Sequence, residues 1–200
     1  LMQMHFEGIP IDVHLLHRYE AAVVEIVEAL NNAVRAHLGP DVNVNSNPQL
    51  KAAFRNIGIN LVSTEAEILR RLNHPAAQTL LQYRKFKVIL GTFIRGLEKE
   101  LWPDGKIHPK FLQWYYEEKG RRGSGARTGR ASSRNPNANN VPRKPLPIPQ
   151  NLNLSQSTLD LKEINLRDLW ATPEGESFTK ADSSQIEPRT TAMVTGEPLL

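Results

Sequence analysis

A carboxylate closing a strand is well placed to hold a divalent cation against a phosphate. Ala181-Asp182-Ser183-Ser184-Gln185-Ile186-Glu187-Pro188-Arg189 has that character. Mg²⁺ takes one or two protein carboxylates and completes its shell with substrate oxygens. Alone, Asp182 reads more commonly as a turn or cap residue. Upstream, Thr128-Gly129-Arg130-Ala131-Ser132-Ser133-Arg134-Asn135-Pro136-Asn137-Ala138-Asn139-Asn140-Val141-Pro142 offers arginine, hydroxyls and a row of amides. Such groups suit sugar, phosphate and minor-groove acceptors, which every base pair shares. On composition alone, residues 117–151 read instead as a linker or disordered loop. His14 and His17 have helical i, i+3 spacing, but two histidines without a third ligand are more often surface residues than a metal site.

These stretches need elements to position them. Residues 12–38 read as an amphipathic helix capped by Asp12, with Leu15, Leu16, Tyr19, Val23, Ile26, Val27, Leu30 and Val34 at the 3.6-residue period. Gly39-Pro40 stops it, glycine taking a left-handed geometry after the last turn. Asn45-Ser46-Asn47-Pro48 opens a short helix that ends near Gly58. Thr64 and Glu67 have capping-box spacing ahead of the next helix. A long helix follows His74-Pro75 to about Leu101, with Leu80, Leu81, Val88, Phe93, Ile94 and Leu97 as its apolar positions. Pro103-Asp104-Gly105-Lys106 is a turn, with a strand expected from Ile107 to Trp114. Order returns at Ile164 to Trp170. A short strand is expected from Ser177 to Ala181, and a last helix near Glu187, where Pro188 is tolerated in the first turn.

With 200 residues the chain can bury a core, and its 40% apolar content is that of a globular protein. It has no cysteine, which excludes disulfides, thiolate metal sites and a cysteine nucleophile. The formal charge of +4 permits a polyanionic partner without demanding one. Lysine and arginine concentrate between Arg84 and Lys144, and no apolar run approaches a membrane span. Leu1-Met2-Gln3-Met4-His5 lacks the pattern of a signal peptide, and both ends look cut.

Taken in order, the two polar stretches resemble family A DNA polymerases. The first is similar to that family's T-G-R-x-S-S-x-x-P-N-x-Q-N-x-P segment, and the second to its motif A, D-Y-S-Q-I-E-x-R. Gly8-Ile9-Pro10-Ile11-Asp12, Val44-Asn45-Ser46-Asn47-Pro48-Gln49-Leu50, Gln82-Tyr83-Arg84 and Gly105-Lys106-Ile107-His108 resemble four further landmarks in the same order. Ordered landmarks multiply where one motif only suggests. The resemblance implies an α+β fold, mostly α. It would have a helical thumb over 1–102 and the start of a palm over 103–200, with the basic Gly/Asn/Pro-rich loop at 117–150 and motif A at 181–189.

The resemblance also implies roles. Asp182 is one of two palm aspartates binding the catalytic Mg²⁺ pair, and the Ser183 carbonyl is a further ligand. Glu187 is the steric gate against a ribose 2′-hydroxyl, with Gln185 and Arg189 supporting the site from behind. Arg130 reaches the minor groove at the primer terminus. Thr128, Ser132, Ser133, Asn137, Asn139 and Asn140 belong to the same DNA-binding segment. The helix from Pro75 lies along the duplex, its basic residues toward phosphates. The implied partners are primer-template DNA and deoxynucleoside triphosphates, with no membrane, for a monomer in the cytoplasm of a bacterial cell or phage-infected host.

There are departures. Ser183 stands where motif A has tyrosine, Pro188 where it has an apolar residue, and Asn139 where the family has the longer glutamine. The family's K-L-K pair falls on Val88 and Leu90, so those lysine contacts are not carried over. A long connection between Arg130 and Asp182 leans toward a phage or viral source. No H-D-E motif and no fingers helix occur in these residues, so the chain alone is expected to be inactive. The alternative is a stand-alone or remnant DNA-binding module. Asp182 with Glu187 argues against it, since carboxylates repel phosphate without a metal.

Overall fold

The protein was analysed as a computed structural model, which describes residues 2–112, 116–118, 121–124, 131–172, 175–177, 179 and 186–196. A short helix α1 (Met2–Glu7) leads through β1 (Ile9–Pro10) into α2 (Val13–Leu38), the central helix. Asp12 starts α2 as read from sequence, its Oδ1 accepting the Leu15 N–H at 2.8 Å. Leu16, Tyr19, Val23, Ile26, Leu30 and Val34 form its buried face. At the C-terminus the Gly39 N–H donates to the Arg35 carbonyl at 2.8 Å. Gly39 has φ +118 with ψ 142, a positive-φ extended conformation rather than the left-handed helical one expected, and a side chain there would be strained.

Three helices follow. In α3 (Asn47–Asn56), Pro48 sits in the first turn as its fixed φ favours. α4 (Ala66–Arg71) starts without the expected capping box. The cap position is Glu65, one residue after Thr64, and the Thr64 hydroxyl is buried and turned to donate to Asn47 Oδ1 at 2.7 Å. α5 (Pro75–Val88) packs along α2, and His74 Nδ1 accepts its first N–H, that of Ala76, at 3.2 Å. The helix continues through a π-turn, Ile89–Ile94, into α6 (Arg95–Lys99). Val88, expected on the apolar face, is 54% exposed. It lies eight positions after Leu80, about 80° around the axis, while the core arc through Tyr83 and Phe86 lies on the other side of Leu80.

The strands are short antiparallel pairs. β2 (Lys106–Ile107) pairs with β1, placing Ile9 opposite Ile107. β3 (Lys110–Leu112) follows, with β4 (Tyr116–Glu118) pairing with β5 (Arg121–Ser124), and β3 pairing with β6 (Ser132–Arg134). The single strand expected from Ile107 to Trp114 is thus broken. His108-Pro109 separates β2 from β3, proline offers no N–H to a ladder, and the two strands take different partners. Trp114 lies outside the described residues.

The expected linker is folded over its described second half. β7 (Leu146–Pro147) pairs with β8 (Glu163–Ile164) across α7 (Gln156–Leu159), and Val141 and Ile148 are buried. Prolines at 142, 145, 147 and 149 hold this stretch extended, so two isolated apolar residues reach the core without any periodicity. A 3₁₀ turn, Leu166–Leu169, follows, and α8 (Ile186–Thr195) begins where the last helix was expected. The expected strand from Ser177 to Ala181 falls largely outside the described residues.

One hydrophobic cluster joins the helices to the later segments, running from Leu16 and Phe54 through Leu80 and Ile94 to Ile107, Ile164 and Leu169. The fold is therefore α+β and mostly helical. Residues 8–12 are clasped on both sides: Ile11 N–H donates to Gly105 O, Asp12 N–H to Leu169 O, and Ala171 N–H to Pro10 O. Gly8 is required here. Its φ is +70, and a Cβ would stand 2.7 Å from the His108 ring, whose Nδ1 bonds the His5 carbonyl. Among the described residues, no helix is long and apolar enough to cross a membrane.

A second clamp is electrostatic. The Glu25 carboxylate on α2 accepts the Thr158 hydroxyl and both the N–H and hydroxyl of Ser155, the last at 2.7 Å. The Thr158 bond, with the two from Ser155 and against partial burial, holds Glu25 below the usual carboxylate range. A lowered folded pKa adds stability that is present above the ordinary glutamate range and lost as pH falls through the folded value. Glu25→Gln is expected to cost about 1 kcal/mol near pH 7. The difference from the unaltered chain should vanish in acid. Urea midpoints at the two pH values check this, and an equal difference at both would contradict it.

Candidate nucleic-acid interface

Asparagines from the start of α3 and the turn before it, hydroxyls from the turn before α4 and cations from α5 meet in a cleft of about 620 Å³. Asn47 Oδ1 accepts the Thr64 hydroxyl at 2.7 Å and an Arg84 Nη2 hydrogen at 3.3 Å, while Arg84 Nη1 donates to the Thr64 carbonyl. Arg84 thus ties two turns to α5. Burial lowers its pKa from the ordinary arginine value, and a guanidinium keeps its charge through such a shift. Asn45 Oδ1 accepts the Tyr83 hydroxyl at 3.1 Å and a Lys87 ammonium hydrogen. The Lys87 ammonium stands 5.6 Å from the Tyr83 ring centre, an attraction to the ring face that fixes it over the cleft. The cleft wall carries Arg84 and Lys87 against one acid, Glu65.

The cleft was only partly legible. Asn45, Asn47, Tyr83 and Arg84 occur in the sequence landmarks but were not read as site residues. Lys87 is not one of the landmarks, since the family's lysine positions fall on Val88 and Leu90. Its spacing was the available sign: Lys87 is i+4 from Tyr83 and i+3 from Arg84, so it neighbours both on the helix surface.

The polar loop forms a second surface. Ser133, buried on β6, donates its hydroxyl to Asn139 Oδ1 at 2.8 Å and accepts the Asn139 N–H at 3.1 Å. Asn139 Nδ2 returns to the Ala131 carbonyl at 3.1 Å, and Asn137 Oδ1 accepts the Asn140 N–H at 3.3 Å. Both polar atoms of the Asn139 amide are therefore engaged inside the loop, which it shapes. Asn140 is exposed and Ser132 half-buried. A cavity of about 240 Å³ separates this loop from the helix, bounded by Thr92, Phe93 and Leu97 on one side and Pro136, Asn140 and Val141 on the other.

Other expected site residues are not placed. Thr128, Arg130, Asp182, Ser183 and Gln185 lie outside the described residues. The backbone of Glu187 is in the first turn of α8, while its side chain is outside the description. Arg189 is exposed on the same helix. Among the described residues, no group of three or more His, Cys, Asp or Glu could hold a metal ion.

A mostly helical α+β chain whose cations, hydroxyls and amides converge has the makings of a polyanion-binding surface. The chain belongs to DNA polymerase family A, whose sequence model matches residues 13–200. It is 28% identical to the thermostable DNA polymerase I of Thermus aquaticus over 98% of this chain and 22% of that protein. It is 29% identical to the DNA polymerase I of Streptococcus pneumoniae over 97% of this chain and 21% of that protein. The chain thus spans about a fifth of the length of these relatives. A solved POL domain of Pol1 from M. smegmatis, in complex with DNA primer-template and dNTP, resembles it with a TM-score of 0.69 at 26% identity, over 95% of this chain and 31% of that one.

Proposed function

We propose that this chain is the duplex-holding portion of a DNA-directed DNA polymerase of replication or repair, acting on primer-template DNA with deoxynucleoside triphosphates. Family membership supports the activity. The observation that carries duplex holding is the cleft in which Arg84 and Lys87, backed by Asn45, Asn47 and Thr64, face one carboxylate. Two cations held in place by asparagine and threonine oxygens are matched to a phosphodiester, whose oxygens accept charge-assisted hydrogen bonds from them.

For the chemical step, Asp182 and the Ser183 carbonyl would hold a divalent cation. A carboxylate and a carbonyl oxygen are the hard donors Mg²⁺ takes, and the donor set fits that ion. Bound there as a pair, such ions would activate the primer hydroxyl and neutralise the leaving pyrophosphate. Glu187 would limit the space for a 2′-hydroxyl, and Arg130 would sit at the primer terminus. The chain holds no H-D-E motif, so these residues alone are not expected to extend a primer.

Duplex binding followed by fluorescence anisotropy at several salt concentrations tests the reading. Lys87→Ala is expected to weaken binding uniformly across sequences and to reduce the log–log salt slope by about 1, because one phosphate contact is lost. An unchanged slope would remove the cleft from the DNA path.

A further inference from the structure

Between the cleft and the amide loop, the long helix departs from α geometry. The π-turn at Ile89–Ile94 takes in one more residue than an α-turn, and such turns are frequent at functional sites. Its solvent side is open at Gly91. Gly91 is exposed, with no heavy atom within 4 Å of where a Cβ would stand. The wider turn lets Ile89 and Leu90 both face the core and brings Ile94 back to it five positions after Ile89.

Thr92 and Phe93 occupy this turn. Thr92 borders both the cleft and the smaller cavity, making it the shared wall of the two surfaces. Earlier in the helix, Thr79 returns its hydroxyl to the Pro75 carbonyl at 2.9 Å. Thr92 makes no such bond among the described residues. Phe93, half-buried, stands across the smaller cavity from Pro136, Asn140 and Val141.

We propose that the π-turn is a spacer that sets the amide loop at a fixed offset from the cleft, with Phe93 the positioning residue across from Asn140, so that one duplex engages both surfaces at once. This rests on the duplex-binding reading. Two contact surfaces on a rigid support reinforce each other only while their spacing matches the ligand, and the gain disappears when geometry forbids simultaneous engagement.

Deleting Gly91 turns the π-turn into a regular α-turn while residues before and after it keep their core faces. Cooperative thermal unfolding should persist and duplex affinity should fall about tenfold. Asn140→Ala should weaken binding about tenfold in the unaltered chain and have no further effect after the deletion. Gly91→Ala keeps the residue count and should bind as the unaltered chain does. Equal losses from Asn140→Ala in both backgrounds would overturn the proposal, as would no loss in the unaltered chain. Should the deletion fail to fold, Phe93→Ala combined with Asn140→Ala forms the same cycle with the same two readings. Absence of duplex binding by the unaltered chain, measured first, would instead overturn the function reading beneath it.

Discussion

In a polymerase that carries this chain together with an H-D-E segment, Asp182→Asn is expected to lower the rate of nucleotide addition by about a thousandfold or more while duplex affinity stays within about twofold. The substitution conserves shape and removes one negative charge. A neutral amide oxygen is a poor ligand for a hard divalent cation, so the charge stabilisation supplied at the reacting phosphate is lost. Binding should not suffer, since removing a carboxylate beside a polyanion relieves repulsion. Single-turnover primer extension, paired with anisotropy on the same duplex, separates the two effects. Lys87→Ala should give the converse pattern, with weaker binding and nearly normal extension at saturating duplex. A rate within tenfold of the unaltered protein would remove Asp182 from the reacting centre.

The second large effect concerns stability. Leu169→Ala is expected to cost about 3 kcal/mol, the range for emptying a fully buried leucine site, and to lower the melting temperature by about 10 °C for a chain of this size. Leu169 is fully buried in the cluster that includes Leu16 and Phe54, although it comes from the far end of the sequence. Its carbonyl also accepts the Asp12 N–H, the residue that caps α2. Damage there should loosen the helices as well as the later segments, and calorimetry should show one transition moving as a whole. Two transitions, with only one displaced, would mean that residues 103–200 hold a separate core.

What could be read from the sequence was what local chemistry decides. Asp12 caps a helix through its own side chain, Pro75 begins one through its fixed φ, and the apolar period of α2 recurs within a few residues. The strand pairs were not readable in the same way. Nothing near Ile9 specifies Ile107 as its partner, and the break at His108-Pro109 shows only once both partners are known. Val141 and Ile148 looked like isolated apolar residues in a polar stretch, because their burial depends on prolines fixing direction rather than on a period. The π-turn left no specific sign, since a glycine and a threonine inside a helical pattern lower helix propensity without specifying a wider turn. For the site, ordered landmarks identified the polar loop and motif A, whereas the cleft draws one wall from each of three segments. Asn139 illustrates the difference. Its position in a motif suggested an outward role, and its bonds to Ser133 and Ala131 give it an inward one.

The clasp around residues 8–12 bears on how this part of the protein can move. Pro10, Ile11 and Asp12 are bonded to the turn at Gly105 on one side and to Leu169 and Ala171 on the other, directly before α2 begins. A helix that starts in a loose loop can pivot at its first residue, because a few dihedrals there absorb the motion. α2 has no such pivot. Tilting it would break hydrogen bonds to two segments at once, so α2, the Gly105 turn and the Leu166–Leu169 turn must travel as a single lever. The cleft rides on α5, packed along that lever, so a force applied at Lys87 would be carried through α2 to the Leu166–Leu169 turn.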